Sequence, residues 1–266
     1  MDLPTSIVPP HPAPPMPGKR VFMAYFNEAK FEFVAALRTM AFAIPFLVLP
    51  LLVYLLFGVV MAGDAVGRNP NVANFLFVSF STFAITGPAI FGLGIGVAIE
   101  RDSGMLKLKR AQPTPPGAYL IAKTLMAALF AALSFLSLLI AALVVGKLTL
   151  GPLHLAAVGA VMIVGVLPFC AIGGFIGAYC SGSAAPALAN LVYLPMLWLG
   201  GLFIPLPKFL QGQTLIWPSF HLNQIALGVA GLGEFHVFPS MLSVAVLVGV
   251  TILFGALALR RLSRKG

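Results

Sequence analysis

Long apolar runs alternate with short polar segments along this chain of 266 residues. Six of the runs are each long enough to cross about 30 Å of hydrocarbon as a helix. The pattern predicts an all-α fold, a polytopic membrane protein with six transmembrane helices, and it leaves no room for a large soluble domain. The predicted spans lie near 39–62, 75–99, 120–146, 153–179, 187–206 and 237–259.

Two segments precede the first predicted span. Residues 1–18 contain seven prolines, which predicts an extended or disordered tail. Residues 19–38 show the three- and four-residue spacing of an amphipathic helix. We expect this elbow helix to lie in the membrane interface with an aromatic stripe in lipid or against the bundle; the alternative is an extension of the first span. The residues that mark it are Phe22, Phe26, Phe33 and Arg38.

Residues 207–236 form the longest connection on their side of the membrane, and they mix apolar with polar side chains. A loop in water would not be this apolar, so we predict a re-entrant or interfacial hairpin. Trp217, Pro218 and His221 are its marker residues, with the indole at headgroup level. His221, Glu234 and His236 are candidate metal ligands, but their scattered spacing favours no metal site.

Composition and charge agree with a membrane protein. The chain is 60% hydrophobic and 9% charged, with a mean hydropathy of +1.02, whereas soluble domains carry roughly 25% charged residues. The net charge is +9, but the bases flank the spans and form no basic face for nucleic acid. Twelve bases on one side against three on the other predict both termini in the cytoplasm.

The sequence lacks the residues that several kinds of chemistry need. The interiors of the predicted spans contain no Asp, Glu, Lys or Arg, on which ion-coupled transporters commonly rely. Gly146-Lys147 is followed by Leu148, so the chain has no P-loop at this position. We therefore expect no enzymatic activity and no cofactor on the chain itself.

Two pairs of small residues have the GxxxG spacing of closely packed membrane helices. Gly92 pairs with Gly96 in the second predicted span, and Gly173 pairs with Gly177 in the fourth. We expect these pairs to pack helices within one chain; the alternative is a seam between two copies.

Charge is concentrated in one connecting segment, Glu100–Lys123, which holds two of the seven acids and five of the sixteen bases. The base count places this segment in the cytoplasm. It resembles the cytoplasmic segment of type-2 ABC (ATP-binding cassette) exporter permeases, which reads E-R-E-x-G-T-L-x-x-L-R-x-x-P and then L-x-G-K. The chain departs from that pattern at Asp102, Met105 and Ala122, and it has Lys109-Arg110 near the usual Leu-Arg. The matching residues are Glu100, Arg101, Gly104, Leu106, Pro113, Leu120 and Lys123.

The resemblance implies the permease subunit of an ATP-driven exporter, with its transmembrane domain at 39–262. A separate ABC ATPase subunit would hold ATP and Mg, and a second copy of the permease would complete a homodimer in a bacterial inner membrane. A coupling helix at about 100–110 would sit in a groove of the ATPase, with apolar contacts from its leucines and charged pairing that sets orientation. The residues implied are Glu100, Arg101, Gly104, Leu106, Lys107, Leu108 and Arg110.

The sequence says less about the transported substrate than about the ATPase that would energise transport. An uncharged bundle favours a lipophilic or amphiphilic substrate, while polysaccharide and ion export stay open. The alternative functions are a stand-alone secondary transporter or channel, and a membrane scaffold that transports nothing.

Overall fold

The computed structural model describes residues 18–111, 118–203 and 211–265. Within these ranges the chain is helical and contains no β-strand, which confirms the all-α class. Of the tail predicted at 1–18, only Gly18 belongs to the described residues. The helices are α1 (Gly18–Arg38), α2 (Met40–Val53) with a π-helical continuation (Tyr54–Met61), α3 (Gly63–Arg68), α4 (Asn71–Asp102), α5 (Met105–Ala111), α6 (Ala118–Val145), α7 (Pro152–Val164), α8 (Leu167–Tyr179), α9 (Ala185–Leu199), α10 (Gln211–Thr214), α11 (Pro218–Val229) and α12 (Ser240–Lys265).

Five helical segments are long and apolar enough to cross a membrane, which confirms a polytopic membrane protein. The span predicted at 187–206 corresponds to α9, whose 15 residues reach about 22 Å at 1.5 Å per residue. That is shorter than the hydrocarbon core, and residues 204–210 lie outside the described ranges. The five segments are Met40–Met61, Asn71–Asp102, Tyr119–Val145, Pro152–Tyr179 and Ser240–Arg264.

The central helix of the bundle is α4, which contacts α2, α6, α8, α9 and α11. Its sequence is apolar on every face, as expected of a helix with neighbours all round. Phe77, Phe80, Ile85 and Ile90 are fully buried along it. The buried stretch ends at Ala98, and the charged residues Glu100, Arg101 and Asp102 follow in the last turn of α4.

The predicted glycine pairs lie at helix contacts within the chain. A Cβ on Gly173 would lie 2.6 Å from the Ile90 carbonyl oxygen, and one on Gly177 would lie 2.9 Å from the Gly94 oxygen. Glycine therefore lets α8 approach the backbone of α4. Gly92 and Gly96 lie against side chains of α6 and α2 rather than against α8.

The fourth predicted span is divided into α7 and α8 by a short break. Pro168 lies in the first turn of α8, where its missing N–H has no helical partner to lose. A Cβ on Gly165, in the break, would clash with Leu222 of α11. The break thus makes room for α11, a short helix with a buried face.

Helix α1 packs along α6, and the two contribute to one apolar cluster. The ring of Phe33 lies 5.4 Å from that of Phe130, edge to face. Phe22 and Phe26, expected on the same stripe, are 68% and 55% exposed. Arg38 lies in the last turn of α1, where a positive charge complements the helix dipole. The position of α1 in a membrane interface stays a prediction.

Candidate functional site

A tight turn separates α4 from the short helix α5. Gly104 in this turn has φ +76°, a left-handed conformation that glycine adopts without steric cost. The segment predicted as one coupling helix at about 100–110 is therefore divided. Glu100 and Arg101 lie in the last turn of α4, and α5 begins at Met105.

Helix α5 has one face on the bundle and one exposed face. Leu106 is only 3% exposed and packs in a small apolar cluster with residues of α4, α8 and α12. It was expected to contact a partner, but in this chain it anchors α5 to the bundle. Met105 and Leu108 are 47% and 65% exposed, and Lys107 is exposed beside them. The Arg110 side chain lies outside the part that the structure describes.

Lys123, near the start of α6, joins two other helices through its ammonium group. Its Nζ lies 2.9 Å from an oxygen of Glu32 in α1 and 2.8 Å from an oxygen of Glu100 in α4. The residue is 3% exposed, and a charge buried so deeply requires paired opposite charges. A Cβ on Gly96 would lie 3.4 Å from this Nζ, so the glycine leaves room for the ammonium.

Lys109 brings α5 into the same cluster. Its Nζ lies 3.0 Å from a Glu28 oxygen and 2.7 Å from a Glu32 oxygen. Both lysine ammonium groups lie over the ring of Tyr119, at 4.8 and 5.2 Å from its centroid, a favourable cation–π geometry. Four helices thus meet in what we call the charged end of the bundle, which comprises Glu28, Glu32, Glu100, Lys109, Tyr119 and Lys123.

The charges of this cluster shift the pKa values of Glu32 and Lys109. Burial by itself would raise the pKa of Glu32, but Lys123 and Lys109 outweigh burial and hold that pKa below 4.5. Burial would lower the pKa of Lys109, but the carboxylates of Glu32, Glu100 and Glu28 raise it above 10.5. Both groups are therefore charged at neutral pH.

Arg101 and Asp102 turn away from this cluster towards the end of α8. The Arg101 guanidinium donates to the carbonyl oxygens of Gly177, at 3.0 Å, and of Cys180, at 2.8 Å, and it also reaches that of Ala178. Asp102 accepts a hydrogen bond from Arg101 at 2.9 Å and one from the N–H of the turn after α8. The charged pairing expected between Glu100, Arg101 and a partner is thus satisfied within this chain.

At the opposite end, which we call the far end, α11 lies buried among its neighbours. Trp217 precedes this helix and donates from its indole to Gln213 at 2.7 Å, and Pro218 occupies the first turn. His221 is 1% exposed. Its Nε2 donates to the Leu215 carbonyl at 2.9 Å, and its Nδ1 lies 3.2 Å from the Ser243 hydroxyl. Burial lowers the pKa of His221 below 6.5, although the bond to Leu215 opposes that shift.

Two amides of α11 fix it to other elements. Asn223 accepts from the Thr82 hydroxyl of α4 at 3.3 Å and donates to the Ser79 hydroxyl at 3.1 Å. Gln224 accepts from the backbone N–H groups of Val237 and Phe238, at 2.8 and 3.2 Å. Helix α11 is therefore held by neutral hydrogen bonds.

The three candidate metal ligands of this region have separate partners. His236 lies 3.0 Å from the Ser240 hydroxyl, and Glu234 accepts from the amide of Asn69 at 3.0 Å. Within the described ranges, no group of three His, Cys, Asp or Glu side chains is arranged to hold a metal ion. The structure gives His221, Glu234 and His236 hydrogen-bonding roles.

Sequence comparison assigns the chain to a family. The sequence profile described as ABC-2 type transporter matches residues 25–234, a range that includes most of α1, the charged segment and α11. The chain belongs to the ABC-2 type transporter family. It is also 25% identical over 226 residues to a protein named "Putative transport permease YvfS" from Bacillus subtilis (strain 168), covering 84% of this chain and 90% of that protein.

Membership makes this chain the membrane permease component of an ABC transporter, a non-enzymatic transport protein. An ABC permease works in general with an ABC ATPase, which is where ATP is hydrolysed.

This ABC-2 permease has an apolar cleft of about 470 Å³ between α2, α4 and α9. Aromatic rings dominate its walls: the Phe91 ring lies 5.3 Å from those of both Phe46 and Tyr193. Trp198 of α9, which lines the cleft, is 59% exposed. Its polar groups are few, so the cleft suits an apolar or aromatic guest.

Sequence reasoning missed several groups that the structure brings together in this permease. Glu28 and Glu32 carry no motif, yet they neutralise the two lysines of the charged end. Asn223 and Gln224 were overlooked in the apolar stretch at the far end. The available signal was the cost of burying a polar side chain, which requires that each such residue find a partner.

Proposed function

We propose that this permease is the transmembrane subunit of an ATP-driven exporter, energised by a separate ABC ATPase that docks on α5. The observation that carries the proposal is the exposed face of α5, with Met105, Lys107 and Leu108. Helix α5 is anchored beneath by Leu106 and held laterally by Lys109, so its exposed face is presented on a braced helix. Movement of α5 would therefore displace the helices with which Leu106 and Lys109 are in contact.

The same proposal fixes the arrangement in the membrane. Both termini and α5 face the cytoplasm of a bacterial cell, six spans cross the inner membrane, and two copies of the permease join two ATPase subunits. The excess of bases on the side of α5 supports this orientation. ATP-driven closure of the ATPase dimer would bias the bundle between inward- and outward-open states.

The substrate in this proposal is lipophilic or amphiphilic. The aromatic cleft between α2 and α9 supports this class, because its lining offers rings and aliphatic carbons with few polar groups. Export of such a molecule would start from the cytoplasm or from the inner leaflet of the membrane.

The docking surface is tested by one substitution and a matched control. Leu108→Asp places a carboxylate on the exposed face of α5, and Ser263→Asp places one on an exposed residue near the end of α12. Co-purification of the partner ABC ATPase should weaken at least about tenfold with Leu108→Asp, as at an interface hot spot. Ser263→Asp should leave it unchanged. Equal recovery of the ATPase with both variants would contradict the proposed surface.

The substrate class is tested by ATP hydrolysis in the reconstituted complex. Lipophilic and amphiphilic compounds should stimulate hydrolysis, whereas polar sugars and inorganic ions should not. Trp198→Ala, in the cleft, should reduce this stimulation. Leu191→Ala, also exposed on α9 but outside the cleft, is the control. Transport of substrate by the purified permease without any ATPase would overturn the proposed function itself.

A further inference from the structure

The guanidinium of Arg101 occupies the end of α8. It donates to the carbonyl oxygens of Gly177, Ala178 and Cys180. Carbonyl groups in the last turn of a helix lack partners within the helix. The positive charge also lies at the negative end of the α8 dipole. Arg101 therefore caps α8 from a different helix, α4.

Two further contacts fasten the turn that follows α8 to the end of α4. Asp102 accepts a hydrogen bond from the Gly182 N–H at 2.7 Å. A Cβ on Gly182 would lie 3.3 Å from the Cα of Ile99, so the two backbones are in close contact. The turn at 180–184 carries no charge of its own, and α4 supplies the charges that hold it.

This turn leads directly into α9. The N–H groups of Ala184 and Ala185 donate hydrogen bonds to the Ser181 carbonyl oxygen. The turn is therefore connected to the start of α9 by a short, hydrogen-bonded segment. Helix α9 then contributes Tyr193 and Trp198 to the wall of the cleft. On the other side, only Ser103 and Gly104 separate the end of α4 from α5.

We propose that Arg101 is a positioning residue that transmits movement of α5 to α9, and so to the cleft, through the turn at 180–184. This inference rests on the proposed function, since it concerns how a push on α5 reaches the substrate site. The ion pairs of Lys109 lead instead to α1 and α4. Among the described residues, the side-chain hydrogen bonds from the end of α4 to the α8–α9 turn come from Arg101 and Asp102.

An arginine is required here because its donors are spread over a planar fork. The two terminal nitrogens of Arg101 serve three carbonyls and the Asp102 carboxylate at once. A lysine keeps the positive charge at the end of α8 but directs all its donors from one atom. Arg101→Lys therefore separates the positioning of the turn from simple charge.

The test uses the assembled permease–ATPase complex in lipid nanodiscs. Cys170 and Cys180 are replaced by serine, and Leu194, on the cleft side of α9, is replaced by cysteine and labelled with bimane. The emission shift on adding ATP with vanadate is measured and normalised to the ATP that the same sample hydrolyses. In the unmodified background, this shift should report movement of the cleft wall.

With Arg101→Lys, the normalised shift should fall at least about fivefold, the lower range of coupling between sites. Arg260→Lys makes the same chemical change at an exposed position of α12 and should leave the shift unchanged. A full shift with Arg101→Lys would overturn the inference. Absence of any ATPase from the background complex would instead contradict the proposed function.

A second variant keeps the test decisive if Arg101→Lys fails to assemble. Asp102→Asn keeps the size of the side chain but weakens its bond to Arg101 and to Gly182. The normalised shift should be reduced, by less than with Arg101→Lys. An unchanged shift with Asp102→Asn in an assembled complex would also overturn the inference.

Discussion

The two ends of this bundle are held together by different chemistry. At the charged end, carboxylates and ammonium groups from four helices form ion pairs, and their side chains are 4–29% exposed. At the far end, α11 is fixed by neutral hydrogen bonds from residues that are 1–4% exposed, among them His221, Asn223 and Gln224. Glu28, Glu32, Glu100 and Lys109 stay partly exposed, and the buried ammonium of Lys123 is matched by two carboxylates, as a buried charge requires.

The comparison suggests different mechanical roles. Ion pairs on long, flexible lysine and glutamate stems can exchange partners as helices shift, and Lys109 already lies near three carboxylates. Buried amides with fixed backbone partners have fewer alternatives. We interpret the charged end as the part that adjusts during transport and the far end as the part that keeps its packing.

The largest expected effect comes from breaking the charged end at its most buried group. Lys123→Met removes the ammonium nearest to Glu100 and one of the two that pair with Glu32. It should cost about 3–5 kcal/mol in the free energy of unfolding, as removal of one buried partner does. Thermal and denaturant unfolding of the purified permease in detergent would measure the loss. Lys147→Met, at an exposed position, is the control and should change stability by less than about 0.5 kcal/mol.

A double variant sharpens this result. Adding Glu100→Gln to Lys123→Met removes one uncompensated charge and should restore part of the lost stability. A Lys123→Met variant as stable as the Lys147→Met control would show that the cluster does not hold the helices together.

A smaller effect is expected from breaking the far end. Asn223→Leu removes the amide that joins α11 to Ser79 and Thr82 and leaves a buried hydroxyl unpaired, at a cost of about 1–3 kcal/mol. Asn190→Leu, at an exposed position on α9, is the matched control. The free energy of unfolding, measured under the conditions used for Lys123→Met, would show which end contributes more to stability. A larger loss from Asn223→Leu than from Lys123→Met would reverse the comparison.

The smallest expected effect is on the pH dependence of stability. As the pH falls, the far end should lose stability before the charged end does. The lowered pKa of His221 means that its contribution to stability is present above pH 6.5 and declines as the pH falls below that value. The lowered pKa of Glu32 means that its contribution is present above pH 4.5 and is lost on further acidification. Each slope is at most about 1.4 kcal/mol per pH unit.

Melting temperatures between pH 7.5 and pH 3.5 would separate the two contributions. His221→Gln should flatten the upper part of the profile, and Glu32→Gln should flatten the lower part. Profiles that stay unchanged in both variants would mean that other groups control the response to acid.

Much of the fold followed from the sequence because hydrophobic runs alone decide where helices can cross a membrane. The helix at Gly18–Arg38 and five long apolar segments lie close to the predicted ranges. The span predicted at 187–206 corresponds to the shorter helix α9, which ends at Leu199 although the apolar composition continues past Gly200. Composition predicts burial in lipid, but a helix end is set by local backbone geometry.

The charged segment shows the same limit at the level of single residues. Its motif marked Gly104, whose left-handed backbone conformation explains the glycine. The motif did not reveal that Leu106 faces inward or that Arg101 caps α8. Those orientations depend on which helix lies opposite, and the sequence of α5 does not indicate that α8 packs nearby.

The sequence by itself determined that this protein spans a membrane, that it is helical, and that its charge collects in one connecting segment. Each follows from hydrophobicity and local order, which act over a few neighbouring residues. The tertiary structure alone decided the partners of the charges: Lys123 with acids 91 and 23 residues away, and Arg101 with carbonyls 76 to 79 residues away. A buried charge must find an opposite charge or a carbonyl dipole, but only the packing of helices distant in sequence decides which one it meets.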